Sequence, residues 1–128
     1  MITYTVLSPR ALEAVVEGEI TKEDVHEAFE RMDALMGSQP KVDMLADVRA
    51  GVHIELAAIG EELRHLSHVG RMLAQMDRVA LVADQTWIRA IARIESHFLP
   101  SIDYRVFTRD ETAEARAFVL RQDETPPA

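Results

Sequence analysis

The stretch from residue 78 to residue 120 alternates between strand-like and helix-like patterns, and this alternation constrains the fold more than any other feature. An apolar run predicts a strand over residues 78–83, and apolar residues at helical spacing predict a helix from Thr86 or Trp87 to Phe98. A second strand pattern, Asp103 to Phe107, precedes a short alanine-rich helix over residues 112–120. Strands separated by helices pair in parallel through right-handed crossovers, so the pattern predicts an α/β protein.

The first half of the chain predicts an antiparallel hairpin that leads into further strands and helices. Apolar and polar residues alternate over residues 2–6 and again over residues 12–20, with Ser8-Pro9-Arg10 as the turn between them. Thr21 offers its hydroxyl as a helix cap, and apolar residues recur at helical spacing until Gly37. The remaining predicted elements are a strand over residues 42–48 and a long second helix over residues 54–75.

Polar residues on the strands predict how the helices are arranged. Glu13, Glu17, Asp43 and Arg105 fall on the alternate face of otherwise apolar strands. Strands covered by helices on both faces usually read as continuous apolar runs. We therefore expect a five-stranded mixed sheet with helices mainly on one face, in a single domain over residues 1–121 with a frayed polar tail over residues 122–128.

Composition excludes several classes of protein. The chain has 128 residues, 48% of them hydrophobic, and no cysteine, which excludes disulfides, thiolate zinc sites and cysteine nucleophiles. The formal net charge is -8, and Lys22 and Lys41 are the only lysines. Nucleic acid and anionic membrane surfaces are therefore disfavoured partners. No window approaches the roughly 18 apolar residues of a membrane span, so we expect a cytoplasmic protein.

Four segments together resemble the SpoIIAA-like family, which is related to STAS domains. The first consists of Arg78–Asp84, followed by Trp87 and by Tyr104–Phe107. The other three are Gly18–Asp24 at the junction of strand and first helix, Leu45–Asp47 at a strand end, and Glu114–Val119 in the last helix. The resemblance implies a fold in which successive strand and helix units wind in one direction. It also implies a role in anti-sigma-factor antagonism in one branch, or in hydrophobic-ligand binding with membrane association in the SpoIIAA-like branch.

The antagonist branch uses a phosphorylatable Ser or Thr at the start of the helix after the third strand. Here that junction, residues 47–55, contains no hydroxyl, so we predict no phosphorylation there. Asp47 and Asp84 follow strands, where ligands of α/β sheets bind. A phosphoryl-accepting aspartate would also need a lysine after a later strand, which the chain lacks. Asp84 is explained more simply as the cap of the helix beginning near Trp87.

The predicted second helix offers a basic stripe. Arg64, His68 and Arg71 share one face, and with Asp47 they form a candidate surface for a protein partner or an anion. The alternative is an ordinary solvated face neutralised by neighbouring glutamates. His65 and His68 lie three residues apart, but spacing supplies no third ligand, so we predict no metal site.

The predicted third helix is apolar around much of its circumference. Such a helix must be buried in the core, self-associated or facing a ligand. An apolar pocket between this helix and the predicted second helix would be lined by Leu63, Leu66, Trp87, Ile91 and Phe98. A plain core helix remains the alternative.

These patterns favour a non-enzymatic binding or regulatory module without a cofactor, because no catalytic constellation can be assembled from spacing. The leading hypothesis is a lipid-like or other amphipathic small molecule held between the predicted second and third helices. The alternative is a protein-protein interaction module of the anti-sigma-factor-antagonist type that lacks the usual phosphorylatable residue.

Overall fold

The computed structural model describes residues 1–54, 74–84 and 102–122. In chain order the elements are β1 (Ile2–Ser8), β2 (Ala11–Val16), β3 (Glu19–Ile20), α1 (Lys22–Ser38), β4 (Val42–Val48), β5 (His53–Ile54), β6 (Met76–Val82), β7 (Asp103–Phe107), a 3-10 turn (Arg109–Glu111) and α2 (Thr112–Val119).

The strands form a five-stranded mixed sheet in the order β1-β2-β4-β6-β7. β1 runs antiparallel to β2, and the other neighbours are parallel. The α/β class and the N-terminal hairpin are thus confirmed. The strand predicted over residues 12–20 is in fact two strands, because Gly18 turns the chain with a φ of +67°. β3 then leaves the main sheet and pairs with β5, so Ile54 belongs to a strand although it was predicted to begin a helix.

α1 forms at its predicted position because its first turn is capped. The Thr21 hydroxyl accepts a hydrogen bond from the Asp24 N–H at 3.2 Å, and the Asp24 carboxylate accepts one from the Thr21 N–H at 3.0 Å. The apolar stripe of the helix packs on one face of the sheet, with Met32 and Met36 against Leu12 and Val42.

α2 covers the opposite face. Its buried residues Ala115, Phe118 and Val119 pack on Leu45 and its neighbours in β6, whereas the side chains before and after Leu45 in β4 belong to the clusters on the α1 face. The prediction that helices lie mainly on one face depends also on the two helices predicted over residues 54–75 and 86–98. Apart from Ile54 and residues 74–75, those helices lie outside the described residues.

The acidic residues on the α2 face are buried, although their alternation with apolar residues suggested a face that helices leave uncovered. Glu13, Asp43 and Asp47 are all buried. Each pairs with an arginine from the C-terminal segment: Arg116 with Glu13 at 2.9 Å, Arg121 with Asp43 at 3.1 Å, and Arg109 with Asp47. Burying a carboxylate is tolerated when a paired charge and hydrogen bonds replace water. Glu13, Asp43 and Asp47 therefore mark a buried ionic layer, whereas Glu17 and Arg105, which the alternation placed with them, are exposed.

Candidate functional site

The carboxyl ends of β2, β4 and β6 lie at the same edge of the sheet, because their paired residues stay in register up to Val16, Val48 and Val82. We call this the carboxyl edge. Ligands and partners of open α/β sheets commonly bind at such an edge, where strands end and loops begin. Asp47 and Asp84, the two strand-end carboxylates singled out from the sequence, both lie here.

Asp47 is the buried centre of this edge. It is only 2% exposed and contacts two guanidinium groups, Arg109 through Oδ1 and Arg49 through Oδ2 at 3.2 Å. Arg109 also donates to the Val48 carbonyl oxygen. The Asp47 carboxylate is thus shielded from contact with a partner, and it holds two arginine side chains that remain 39% and 48% exposed.

Arg109 reaches Asp47 because the chain turns sharply after β7. Thr108 caps the 3-10 turn, its N–H and hydroxyl donating to the Glu111 carboxylate at 2.9 and 2.8 Å. This fixes Arg109 at the start of the turn, from which its side chain crosses the end of β6 to reach β4. A hydrogen bond from the Thr108 hydroxyl lowers the pKa of the exposed Asp110 carboxyl. Two carboxylates, those of Asp110 and Glu111, therefore follow Arg109 in this turn.

The junction after β4 is held by main-chain hydrogen bonds. The Arg49 N–H donates to the Val16 carbonyl at 2.9 Å, and the His53 N–H donates to the Gly18 carbonyl at 3.0 Å. Between them Gly51 adopts a φ of +79°, which favours glycine. Arg49 is therefore presented on an anchored turn.

Asp84 is half-buried, two residues beyond the end of β6. The helix that it was predicted to cap lies outside the described residues, so that role stays a prediction. The other predicted site residues also lie outside the described residues: Leu63, Leu66, Trp87, Ile91 and Phe98 for the ligand, and Arg64, His68 and Arg71 for the partner or anion. The structure therefore brings Asp47 together with Arg49 and Arg109, which the sequence patterns did not single out.

A second ionic cluster occupies the opposite, amino edge of the sheet. Asp43 lies 2.9 Å from Arg10 and 3.1 Å from Arg121, and Asp77 contacts the same two arginines. The two carboxylates and two guanidinium groups balance in charge. The signal in the sequence was an aspartate at the second position of two neighbouring strands, β4 and β6. This cluster links the starts of β2, β4 and β6 to the end of α2, and its charges are balanced without a ligand.

An apolar cleft of about 180 Å³ opens between α1 and the sheet. Its lining is entirely apolar and consists of Ala28, Phe29, Met32, Met44 and Met76. Ala28, Phe29 and Met32 belong to the apolar stripe predicted for α1, and all the lining residues except Ala28 also pack in the cluster beneath this helix. Methionine side chains adapt their shape readily, so this wall can accommodate more than one apolar group.

The described part of the chain contains no group of three or more His, Asp or Glu side chains placed to hold a metal ion. None of the helices in residues 1–54, 74–84 and 102–122 is long and apolar enough to cross a membrane.

Comparison with solved structures shows which fold this is. The structure of the Bacillus cell fate determinant SpoIIAA in its phosphorylated form matches with a TM-score of 0.54 at 11% identity, covering 89% of this chain and 97% of that one. The structure of the anti-sigma factor antagonist SpoIIAA in its unphosphorylated form matches with a TM-score of 0.56, also at 11% identity, covering 92% and 98%. No curated protein sequence matches the chain. The SpoIIAA-like family model matches residues 11–120. Because this match spans most of the sequence, the chain belongs to the SpoIIAA-like family.

Proposed function

We propose that this protein is an interaction module of the anti-sigma-factor-antagonist type, and that it binds an acidic surface of a protein partner without a phosphorylation switch. The observation that carries the proposal is the arginine pair of the carboxyl edge, Arg49 and Arg109, held on the buried carboxylate of Asp47. One of the two similar solved structures is described as an anti-sigma factor antagonist. The fold supports the class of function, and the arginine pair suggests the surface.

The arrangement favours recognition of carboxylates. A guanidinium group can bind a carboxylate with two parallel hydrogen bonds, and its planar shape fixes the orientation of the bound carboxylate. Both arginines are already oriented by Asp47, so less side-chain entropy is lost when a partner binds. Two partly exposed guanidinium groups share one buried carboxylate, so N–H donors of both remain for a carboxylate of the partner.

The junction after β4 lacks the hydroxyl that a phosphorylation switch needs. The junction from Asp47 to Glu55 contains no serine, threonine or tyrosine. Arg49 is carried on the turn of this junction, whose main chain is held by two hydrogen bonds. We therefore propose that the partner's affinity is set by the arginine pair and is not altered by a phosphate on this segment. The predicted basic stripe of Arg64, His68 and Arg71 would extend the same surface, and no covalent chemistry is required of it.

The test is a titration with a purified kinase-type anti-sigma factor from the same genome, followed by calorimetry. Arg49→Gln should weaken binding about tenfold or more, which corresponds to about 1.4 kcal/mol. Arg105→Gln is the matched control, because it removes one exposed arginine of β7 that pairs with Asp103. Equal effects of the two variants would reject the arginine pair as the contact. Incubation with ATP and peptide mapping should find no phosphate on residues 47–55, and a phosphate there would contradict the proposed mechanism.

A second candidate function is binding of a small apolar or amphipathic molecule, and the apolar cleft beside α1 is the observation that favours it. Its volume of about 180 Å³ is below the roughly 300 Å³ of ordinary ligand pockets. The cleft would therefore hold one apolar end of a ligand, with the predicted pocket residues of the two helices around Leu63 and Trp87 holding the rest.

This candidate is tested by Trp87 fluorescence during titration with a fatty acid. A saturable shift that Ile91→Glu or Met44→Gln weakens would support it, provided that each variant keeps its cooperative melting transition, since a buried charge or an unpaired buried amide can unfold the domain. Unchanged fluorescence and unchanged melting temperature across a panel of amphipathic ligands would reject it. Neither result affects the protein-partner titration, so the two functions are tested separately.

A further inference from the structure

The two outer strands of the main sheet differ in how they are protected from pairing with the strands of another chain. The outer strand β7 carries Asp103 and Arg105 among its five residues. The other outer strand, β1, is seven residues long and has no charged residue and no proline. Charges and prolines normally guard outer strands against pairing with another chain. Within residues 1–54, 74–84 and 102–122, no strand pairs with the outer side of β1.

The main chain of β1 presents free hydrogen-bonding positions along that side. The Glu17 N–H donates to the Met1 carbonyl, and Ile2 lies opposite Val16 in the antiparallel register. Residues that exchange hydrogen bonds with β2 therefore fall at odd positions, and Ile2, Tyr4 and Val6 direct their N–H and C=O groups outward. The Val6 side chain is 69% exposed, which is high for an apolar residue in a strand.

We propose that β1 pairs antiparallel with β1 of a second copy of this chain, joining two sheets across a two-fold axis at Tyr4. The regular part of β1 ends at Val6, where the register with β2 shifts, so the centre of the regular run is Tyr4. This places Ile2 opposite Val6 of the second copy, and Thr3 opposite its Thr5. The two copies exchange about six main-chain hydrogen bonds in this arrangement.

The side chains of β1 suit such a pairing on both faces. On one face, Ile2 covers the exposed Val6 of the second copy. On the other, Thr3 and Thr5 are exposed, and a Thr–Thr pair across two strands is favourable. The pattern reads alike in both directions about Tyr4, with threonine on each side, which is what a self-complementary contact requires.

Charge beside β1 also favours a second copy over an unrelated extended peptide. Arg31 of α1 lies over the Tyr4 ring, 5.1 Å from its centre, and pairs with Glu27 one turn before it. Both side chains are at least half exposed. A two-fold rotation at Tyr4 runs the two α1 helices in opposite directions along the joined sheet, and each copy brings a charge-balanced Arg31–Glu27 pair beside β1. Chains of net charge -8 repel one another in general. β1 has no charged side chain, and the charges beside it are paired, Arg31 with Glu27 and the N-terminal ammonium with Asp24, so this strand is where two chains can approach.

The first test measures self-association of the full chain by sedimentation equilibrium. The wild type should dimerise, and Val6→Lys should raise the dissociation constant by more than about tenfold, because the outward edge gains a charge. Val106→Lys is the matched control on β7, since Val106 is also an exposed apolar residue, and it should leave the constant unchanged. A wild type that stays monomeric at millimolar concentration would overturn the proposal. The alternative occupant of the outer side of β1 would then be an extended peptide of another protein. Equal effects of the two variants would overturn it too.

The second test fixes the register with disulfides and does not depend on the fold tolerating a lysine. The chain has no cysteine, so Thr3→Cys and Thr5→Cys each introduce a single thiol. Oxidising an equal mixture of the two variants should give mainly the mixed disulfide, because these positions lie opposite each other. Identical positions lie about 8 Å apart in this register, beyond the roughly 7 Å limit for a disulfide. Disulfides that form as readily in each variant alone would overturn the register and with it the two-fold axis at Tyr4.

Discussion

Arg121 is the only non-glycine residue in the described ranges with a positive φ, at +61°. It follows the last turn of α2, where the Arg121 N–H donates to the Phe118 carbonyl at 3.2 Å and the Gln122 N–H to the Ala117 carbonyl at 2.9 Å. This hydrogen-bonding pattern ends many helices, and glycine is the residue usually found at its left-handed position. Arginine occurs here with its guanidinium group on Asp43 and Asp77 at the amino edge of the sheet. The side-chain contacts offset the strain of the backbone.

Arg121→Gly tests that balance. The substitution relieves about 1 kcal/mol of backbone strain and removes an ionic partner of a buried carboxylate, a loss of about 3 kcal/mol. We expect net destabilisation of about 2 kcal/mol in urea unfolding. In an Asp43→Asn background the same substitution should lose part of its effect, because one of the two carboxylate partners of Arg121 has no charge. A more stable single variant would contradict this account.

Asp43→Asn measures the buried ionic layer at its most enclosed residue. Asp43 has no exposed surface, lies beside Arg10 and Arg121, and accepts a hydrogen bond from the Arg78 N–H at 3.0 Å. The asparagine amide oxygen can still accept the hydrogen bond from Arg78. Arg10 and Arg121, however, then share only the Asp77 carboxylate. We expect a loss of about 2–4 kcal/mol in the free energy of unfolding. Asp103→Asn, which removes one partner of an exposed pair on β7, should cost under about 1 kcal/mol.

At the level of elements, the start of α1 depends on reciprocal capping between Thr21 and Asp24. The hydrogen bond from the Thr21 main-chain N–H is the main reason that the pKa of the Asp24 carboxyl lies below its ordinary value of 3.8. A carboxyl whose pKa is lower in the folded state stabilises the fold when it is ionised. Its contribution is therefore complete above the ordinary value and is lost as the pH falls through the lowered folded-state pKa.

Two variants of this cap give a pH-dependent prediction. Thr21→Ala should destabilise the protein by about 1 kcal/mol at neutral pH, while Thr21→Ser keeps the hydroxyl and should be nearly neutral. Asp24→Asn should be less stable than the wild type at neutral pH, and the difference should shrink below pH 3.8. Thermal melting across this pH range checks both statements. A difference that grows as the pH falls would show that the carboxylate is not the stabilising form.

Elements bounded by clear local signals were predictable from the sequence. The strands over residues 42–48 and 103–107 have their predicted bounds, and α1 follows its predicted cap. The division of the hairpin's second strand was not predictable, because a single glycine inside an alternating pattern does not reveal its positive φ. Asp47 was found as a carboxylate at a strand end. Arg109 was not found, because it is 62 residues away in sequence and reaches Asp47 only after the sheet has placed β7 two strands from β4.

Over the whole molecule, the C-terminal segment neutralises acidic residues that the rest of the chain buries. Arg109, Arg116 and Arg121 pair with carboxylates of β4 and β2 that are distant in sequence. Arg78 and Arg105 both stack on the Phe118 ring, 4.8 and 4.4 Å from its centre. The same segment therefore supplies both the arginine partners of the buried carboxylates and the Phe118 side chain that covers the sheet. Their loss leaves both unpaired carboxylates and exposed apolar sheet, so the segment should not detach without unfolding the domain.

Two truncations test this dependence and the predicted domain boundary. A chain ending at Thr108 loses Arg116, the partner of Glu13, and Arg121, a partner of Asp43. It also loses the buried Phe118 side chain. Unpaired buried charges and an uncovered apolar face each cost several kcal/mol, about as much as the whole stability of a small domain. We expect no cooperative melting transition by circular dichroism. A chain ending at Gln122 lacks residues 123–128 of the predicted polar tail and should melt within about 2 °C of the full chain. Cooperative melting of the shorter chain would show that β1 to β7 fold without the arginine contacts.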